Sequence, residues 1–386
     1  MTEMEQQLSR LFNAVIGEPP RQVSVHAVRR RAVRRRRLSY ATAAAALAVA
    51  GSVGVALAST TIAPHRQVGA HAQPARPPSH YFETVALTKR GQPVNVIRST
   101  ATGAITGSIR CPAPPSTQVP LVAGTTTPAG QVFFAACATT FSSHTARIRS
   151  TTIYQFAVDR SGQVKDFRPV AGGTLPRVGV SSIAAAPGGS EVAVIVQPDS
   201  LKLPPRILVI NARNGQQALW QATKLSRKVG FEPGKLSFAQ GGRELAVFGS
   251  PRCLARGCGK SAYDVVTVRP AAKGGTLASG KVILSLPTSA IEPLDLFISP
   301  DGTSVIGCFI GPQITSVVKF DLATGQRKVL LRLRDVQATA ASLDPSGGFI
   351  LVGGFTSKSV VVNGWVDHGK LKPLPGTGLA PIYEDW

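Results

Sequence analysis

The chain of 386 residues is short of the side chains that usually do chemistry. It holds only six His: His26, His65, His71, His80, His144 and His368. Four of these precede the region in which a folded domain begins, and the other two fall in predicted loops. No GxSxG elbow is present, so a serine-hydrolase nucleophile of that type is excluded. No P-loop or dinucleotide fingerprint is present, and "GTGLAP" (376–381) is too short and wrongly placed for the latter. Acidic residues are also scarce, 20 against 43 Lys and Arg, for a net charge of +23. A balance of that sign disfavours cationic partners and favours phospholipid headgroups, anionic envelope polymers or nucleic acid.

What is abundant points elsewhere. Apolar residues make up 43% of the chain, enough for a large core. The 38 Gly and 29 Pro are spread along its length, which suits many short strands and turns rather than long helices.

One long stretch has no charge at all. Residues 38–63, "LSYATAAAALAVAGSVGVALASTTIA", exceed the roughly 20 residues a helix needs to cross a bilayer. Before it stand Arg29, Arg30, Arg31, Arg34, Arg35, Arg36 and Arg37; closely after it come only Arg66 and Arg76. The asymmetry predicts a single-pass plasma-membrane anchor, with residues 1–37 cytoplasmic and everything beyond the anchor extracytoplasmic. "ALA" (56–58) and "AHA" (70–72) resemble signal-peptidase sites, so cleavage is the competing expectation. Upstream, Met4, Leu8, Leu11, Phe12, Val15 and Ile16 fall on one face of an amphipathic helix over 2–16, ended by Gly17, Pro19 and Pro20. Residues 64–80 read as a Pro-rich linker.

Residues 81–386 carry a repeat. Each copy is an apolar strand, a small turn with Gly and a second apolar strand: "VSSIAAAPGGSEVAVIV" (180–196), "KLSFAQGGRELAVFG" (235–249), "PLDLFISPDGTSVIGCF" (293–309) and "ATAASLDPSGGFILVGG" (338–354). "VPLVAGTTTPAGQVFFAAC" (119–137) is a looser copy. The turn glycines Gly130, Gly189, Gly242, Gly302 and Gly347 lie 45 to 60 residues apart. After most copies comes another hairpin with a polar turn, best seen in "RILVINARNGQQALW" (206–220) and "SVVKFDLATGQRKVLL" (316–331). Four strands per repeat is the pattern of propeller blades. "YFETVAL" (81–87) and "VNVIRSTATGAITGSI" (94–109) supply three strands lacking a first. "APIYEDW" (380–386) is a strand lacking a blade. Pairing the two closes a six-bladed, mainly β propeller and leaves a seventh blade little room. Closure removes the sheet edges that aggregate.

"SPDG" followed by "SVIGCF" and "DLATG" resembles the WD40-like repeats of TolB-type bacterial propellers, over residues 80–386. The N-terminal arrangement resembles actinobacterial membrane proteins with short cytoplasmic heads, some of which bind sigma factors, although their His/Cys zinc cluster is missing here. The first resemblance implies fold far more than function, because propellers host many activities.

All five Cys lie beyond the anchor, where disulfides form. Bridges are expected between Cys253 and Cys258 in "CLARGC", and between Cys111 and Cys137. A zinc site at 253 and 258 is the rival and needs two further ligands. Cys308, inside a strand, is expected to be a buried thiol. Asp301, Asp321 and Asp344 recur at turns, where they are expected to bond backbone amides. Asp295 differs, since "PLDLF" puts a charge in an innermost strand beside the channel. The resulting expectation is a monomeric ectodomain that binds a protein or an anionic envelope polymer, without catalytic residues, metal, cofactor or nucleic acid. The alternatives are an exported propeller enzyme, a hydrolase or dehydrogenase with a metal or acidic channel site, and a soluble cytoplasmic propeller with a nucleic-acid tail.

Overall fold

The structure, a computed structural model, describes residues 80–385 except 88–92, 113–119, 128–129, 143–144, 199–203, 222–228, 254–261, 271–273, 288–291, 312, 345–346, 359, 368 and 375–383. The amphipathic helix, Arg run, anchor and linker expected over 1–79 lie outside the described residues, as does Cys258. Cys253 ends the strand Glu244–Cys253, and the bridge expected between Cys253 and Cys258 is likewise outside the description. Among the described residues no helix is long and apolar enough to cross a membrane.

Six antiparallel sheets follow one another along the chain. Blade 2 is Leu121–Thr127, Gly130–Ser142, Thr145–Val158 and Val164–Pro176, from the innermost strand outwards. Blade 3 begins with Val178–Ala185, blade 4 with Val229–Ala239, blade 5 with Glu292–Ile298 and blade 6 with Val336–Leu343. Blade 1 is built from both ends of this region. Tyr81–Leu87, Pro93–Ser99 and Ile105–Ile109 form its outer three strands, and Glu384–Asp385 pairs antiparallel with the first of them, Glu83 opposite Asp385. This closing strand touches the innermost strands of blades 6 and 2, which completes the ring. The six-blade count and the C-terminal closure expected from the repeats are both present.

The core is divided into six slabs, one between each pair of neighbouring blades. Between blades 1 and 2 it holds Ile97, Ile109, Phe133 and Phe156. Between blades 3 and 4 it gathers Ile195, Trp220, Phe231, Leu236 and Leu245. The slab that seals the ring, between blades 6 and 1, holds Phe82, Leu351 and Leu374 among the described residues, with Phe349 and Trp365 against them. The second strands are buried on both faces, which explains runs such as "VFFAAC" and "VAVIV": alternation fails where neighbouring blades cover both sides.

Buried hydroxyls tie one blade to the next. Thr315 of blade 5 donates to the Val336 carbonyl and accepts from the Ala338 N–H, at 2.8 and 3.0 Å. Thr151 of blade 2 donates to the Val178 carbonyl of blade 3. Gln131 accepts from the Tyr81 N–H and donates to the Tyr81 carbonyl, holding blade 1 against blade 2.

The turns explain why the repeat is visible in sequence. Asn211 and Asp321 end the third strands of blades 3 and 5, and Asp159 directly follows that of blade 2. Each accepts two backbone N–H bonds from its own turn, from Ser161 and Gln163, Arg213 and Asn214, and Ala323 and Thr324. Gly162, Gly215 and Gly325 then take the positive φ the turn requires. The "SPDG" turn works similarly, with the Thr303 N–H donating to Asp301 and the Ser304 N–H to Ser299.

Cys111 and Cys137 form a disulfide. It fastens the chain leaving blade 1 to the second strand of blade 2 across a sequence separation of 26. Cys137→Ser should therefore destabilise the oxidised protein by about 3 kcal/mol on loop-closure entropy. Denaturant unfolding with and without reductant checks this: the variant should match the reduced wild type.

Blade 4 departs from expectation. Between its outer strands Ala262–Val268 and Lys281–Pro287 the chain leaves to add Gly274–Thr276, in parallel, to the outer edge of blade 3. Gly274 has φ 91°, and a Cβ there would lie 2.2 Å from the Leu219 carbonyl oxygen. Only Gly permits this approach, which covers an edge otherwise open to pairing with another chain.

Candidate functional site: the central channel

The innermost strands share an irregularity. In blades 3, 4, 5 and 6 the pairing with the second strand slips by one residue, at Val180/Ser182, Pro233/Lys235, Pro293/Asp295 and Ala338/Ala340. The extra residues are Ser181, Gly234, Leu294 and Thr339, and all four line one cavity of 230 Å³ on the propeller axis. Blade 2 contributes Leu121 and Val122 without a bulge, and blade 1 contributes Glu83. A β-bulge bends its strand and re-aims the next side chain. Here the residues just after the bulges are Ser182, Lys235, Asp295 and Ala340. Lys235 and Asp295 thus hold equivalent positions in neighbouring blades, with opposite charge. A smaller cavity of 80 Å³ continues along the axis, and Ile183 and Lys235 border both.

Sequence reasoning singled out Asp295 and missed its setting. "EPGK" (232–235) and "EPLD" (292–295) were the available signal. Pro lacks the N–H that a ladder needs, so inside a strand it marks an edge or a bulge. The bulges of blades 3 and 6 carry no such mark.

Burial of Asp295 raises its carboxyl pKa; the Lys235 charge and the Ala341 N–H, which donates to the carboxylate across the blade 5–6 boundary, pull it back down. Lys235 Nζ sits 5.5 Å from the centroid of Phe297, within cation–π range. Behind the wall, Cys308 is a free buried thiol. Burial, and then the Asp295 charge, push its pKa up to about 12, so it is a small hydrophobe and not a nucleophile. Ser182 is 5% exposed and its Oγ has no hydrogen-bond partner among the described residues. Among those residues no three His, Cys, Asp or Glu side chains gather as a metal-binding group.

The raised Asp295 pKa has a consequence for stability. A carboxyl that is harder to ionise folded than unfolded costs stability above its folded pKa, and the cost disappears as pH falls below the ordinary value of 3.8. Asp295→Asn keeps the oxygen that accepts from Ala341 and removes the charge. The variant should melt higher than wild type at pH 7, and the gap should close as the pH approaches 3.8. Thermal melts across that range test the sign.

The architecture and its axial cavity define a six-bladed β-propeller. TolB from Acinetobacter baumannii superposes with a TM-score of 0.52 at 13% identity, covering 80% of this chain and 66% of that one. At that identity the likeness is one of fold, and this chain spans slightly less than two thirds of that protein. Two looser superpositions are the putative TolB from Agrobacterium tumefaciens and the Cps50 (Swd1) propeller domain from Myceliophteria thermophila. The first has a TM-score of 0.45 at 10% identity, covering 77% of this chain and 89% of that one. The second has 0.44 at 9%, covering 78% and 88%. No protein-family model matches the sequence, and no curated protein matches it.

Proposed function

We propose that the chain is a single-pass membrane protein whose propeller lies outside the cytoplasm and serves, without catalysis, as a binding or scaffold module at the cell envelope. The observation that carries this reading is the uncharged segment 38–63 with seven Arg directly before it, joined to a closed β-ring. A closed ring has few edges of its own to offer, so its loops and exposed side chains do the recognising. Charge favours an anionic partner, either a protein surface or an envelope polymer. Nine Arg and three Glu in residues 1–37 leave +17 on the remainder, and Arg327, Lys328, Arg332 and Arg334 are exposed along the outer strand of blade 5. The segment 1–37 would face the cytoplasm and carry any signal inward.

The rival reading, an exported propeller enzyme, draws on the carboxylates Glu83 and Asp295 in the channel. Protease treatment of intact cells carrying a C-terminally tagged chain, with membrane fractionation and the mass of the tagged product, separates the two. A full-length product, in membranes and digested from outside, is the expected result. A shorter soluble product would mean a cleaved leader and would favour the enzyme. Protection from external protease would overturn the topology.

A further inference from the structure

The channel residues are sorted by chemistry around the axis. Going round the ring, blade 3 presents the buried Ser182 hydroxyl, and blade 4 presents the Lys235 ammonium. Both groups are hydrogen-bond donors. Blades 5 and 1 present the carboxylates of Asp295 and Glu83, which are acceptors, and blade 6 between them presents Thr339, Ala340 and Ala341. Blade 2 presents only Leu121 and Val122. A cavity with a cation and an anion side by side on blades 4 and 5, and an apolar wall on blade 2, suits a small molecule that carries both charges and a hydrocarbon group.

We propose that this cavity binds a free α-amino acid with an aliphatic side chain. Its carboxylate faces Lys235 and Ser182, its ammonium faces Asp295 and Glu83, and its side chain lies on Leu121 and Val122. Three observations converge on this. The volume of 230 Å³ holds a molecule of that size. The Ser182 Oγ is buried on the cavity wall without a hydrogen-bond partner among the described residues, a state that costs free energy unless a ligand completes it. Bulges at equivalent places in blades 3, 4 and 5 bring Ser182, Lys235 and Asp295 to one level of the axis. The inference is separate from the anchoring and from partner binding by the propeller surface, and a different experiment tests it.

Isothermal titration of the purified full-length chain with L-leucine and L-valine should give saturable binding. N-acetyl-L-leucine, which lacks the ammonium, and L-leucinamide, which lacks the carboxylate, should each bind at least about tenfold more weakly, since each gives up one of the two charge contacts the zwitterion makes. Asp295→Asn should weaken leucine by about tenfold and narrow the gap between leucine and its N-acetyl derivative. Ser182→Ala removes one hydroxyl, is the variant least disturbing to the fold, and should weaken leucine severalfold. No saturable response to leucine or valine up to about 10 mM would overturn the proposal, that being weaker than useful recognition. Equal affinity for leucine, its N-acetyl derivative and its amide would overturn it too.

Discussion

Deleting residues 380–386 should open the ring and produce the largest loss of stability of any change proposed for this protein. The closing strand covers the inner edge of Tyr81–Leu87, whose Phe82, Glu83 and Thr84 are 0%, 1% and 2% exposed. Without it, a hydrophobic strand keeps an open edge next to the channel, the arrangement most prone to pairing with a second chain. The adjoining slab is built on Phe82, Leu351 and Leu374 and joins the two ends of the ring. A fall in melting temperature on the order of 10 °C is expected, given about 2–4 °C per kcal/mol for domains of this size. Concentration-dependent aggregation should accompany it. Calorimetry and light scattering of the truncated chain test both; an unchanged melt would show that blades 6 and 1 hold together without the strand.

Phe133→Ala should cost about 4 kcal/mol, as for other buried Phe truncations. Phe133 is fully buried on the second strand of blade 2 and stacks on Phe156 with ring centroids 5.4 Å apart. It faces Ile97 and Ile109 of blade 1, so its loss leaves a void between two rigid sheets that close in only by moving a whole blade. Ile105→Ala is the control. Ile105 sits on the outer strand of blade 1 and is 53% exposed, so that change should stay within roughly 0.5 kcal/mol of wild type. Chemical denaturation of the pair separates packing from hydrophobicity as such. Near-equal losses would mean the slab between blades 1 and 2 relaxes around the missing ring.

How far this fold could be read in advance depended on range. The hairpins of blades 2, 3, 5 and 6 were legible because their turns are local. An Asp or Asn that bonds amides two to four residues on, followed by Gly, needs nothing from elsewhere in the chain. The closing strand was legible by elimination, one strand short at one end and one spare at the other. The second hairpin of blade 4 was not legible. Its two strands are separated by Gly274–Thr276, which pairs with Leu219–Gln221 in another blade, and three residues with a distant partner carry no period of their own.

The channel divides along the same line. By itself the sequence determined a mainly β ring of six four-stranded repeats, a basic surface, an uncharged segment of membrane-spanning length, and a charge at Asp295 in an innermost strand. These follow from composition, turn chemistry and alternation, which act over a few residues. Only the tertiary structure decided that bulges in four blades meet at one level of the axis. It likewise decided that Lys235 and Asp295 fall at equivalent positions in adjacent blades, and that the Ser182 hydroxyl has no partner among the described residues. A bulge shifts register by a single residue, and its effect on a side chain appears only when the neighbouring strand is in place. Which groups share a cavity is fixed by the closure of the ring, because closure brings strands more than 200 residues apart in sequence to the same axis.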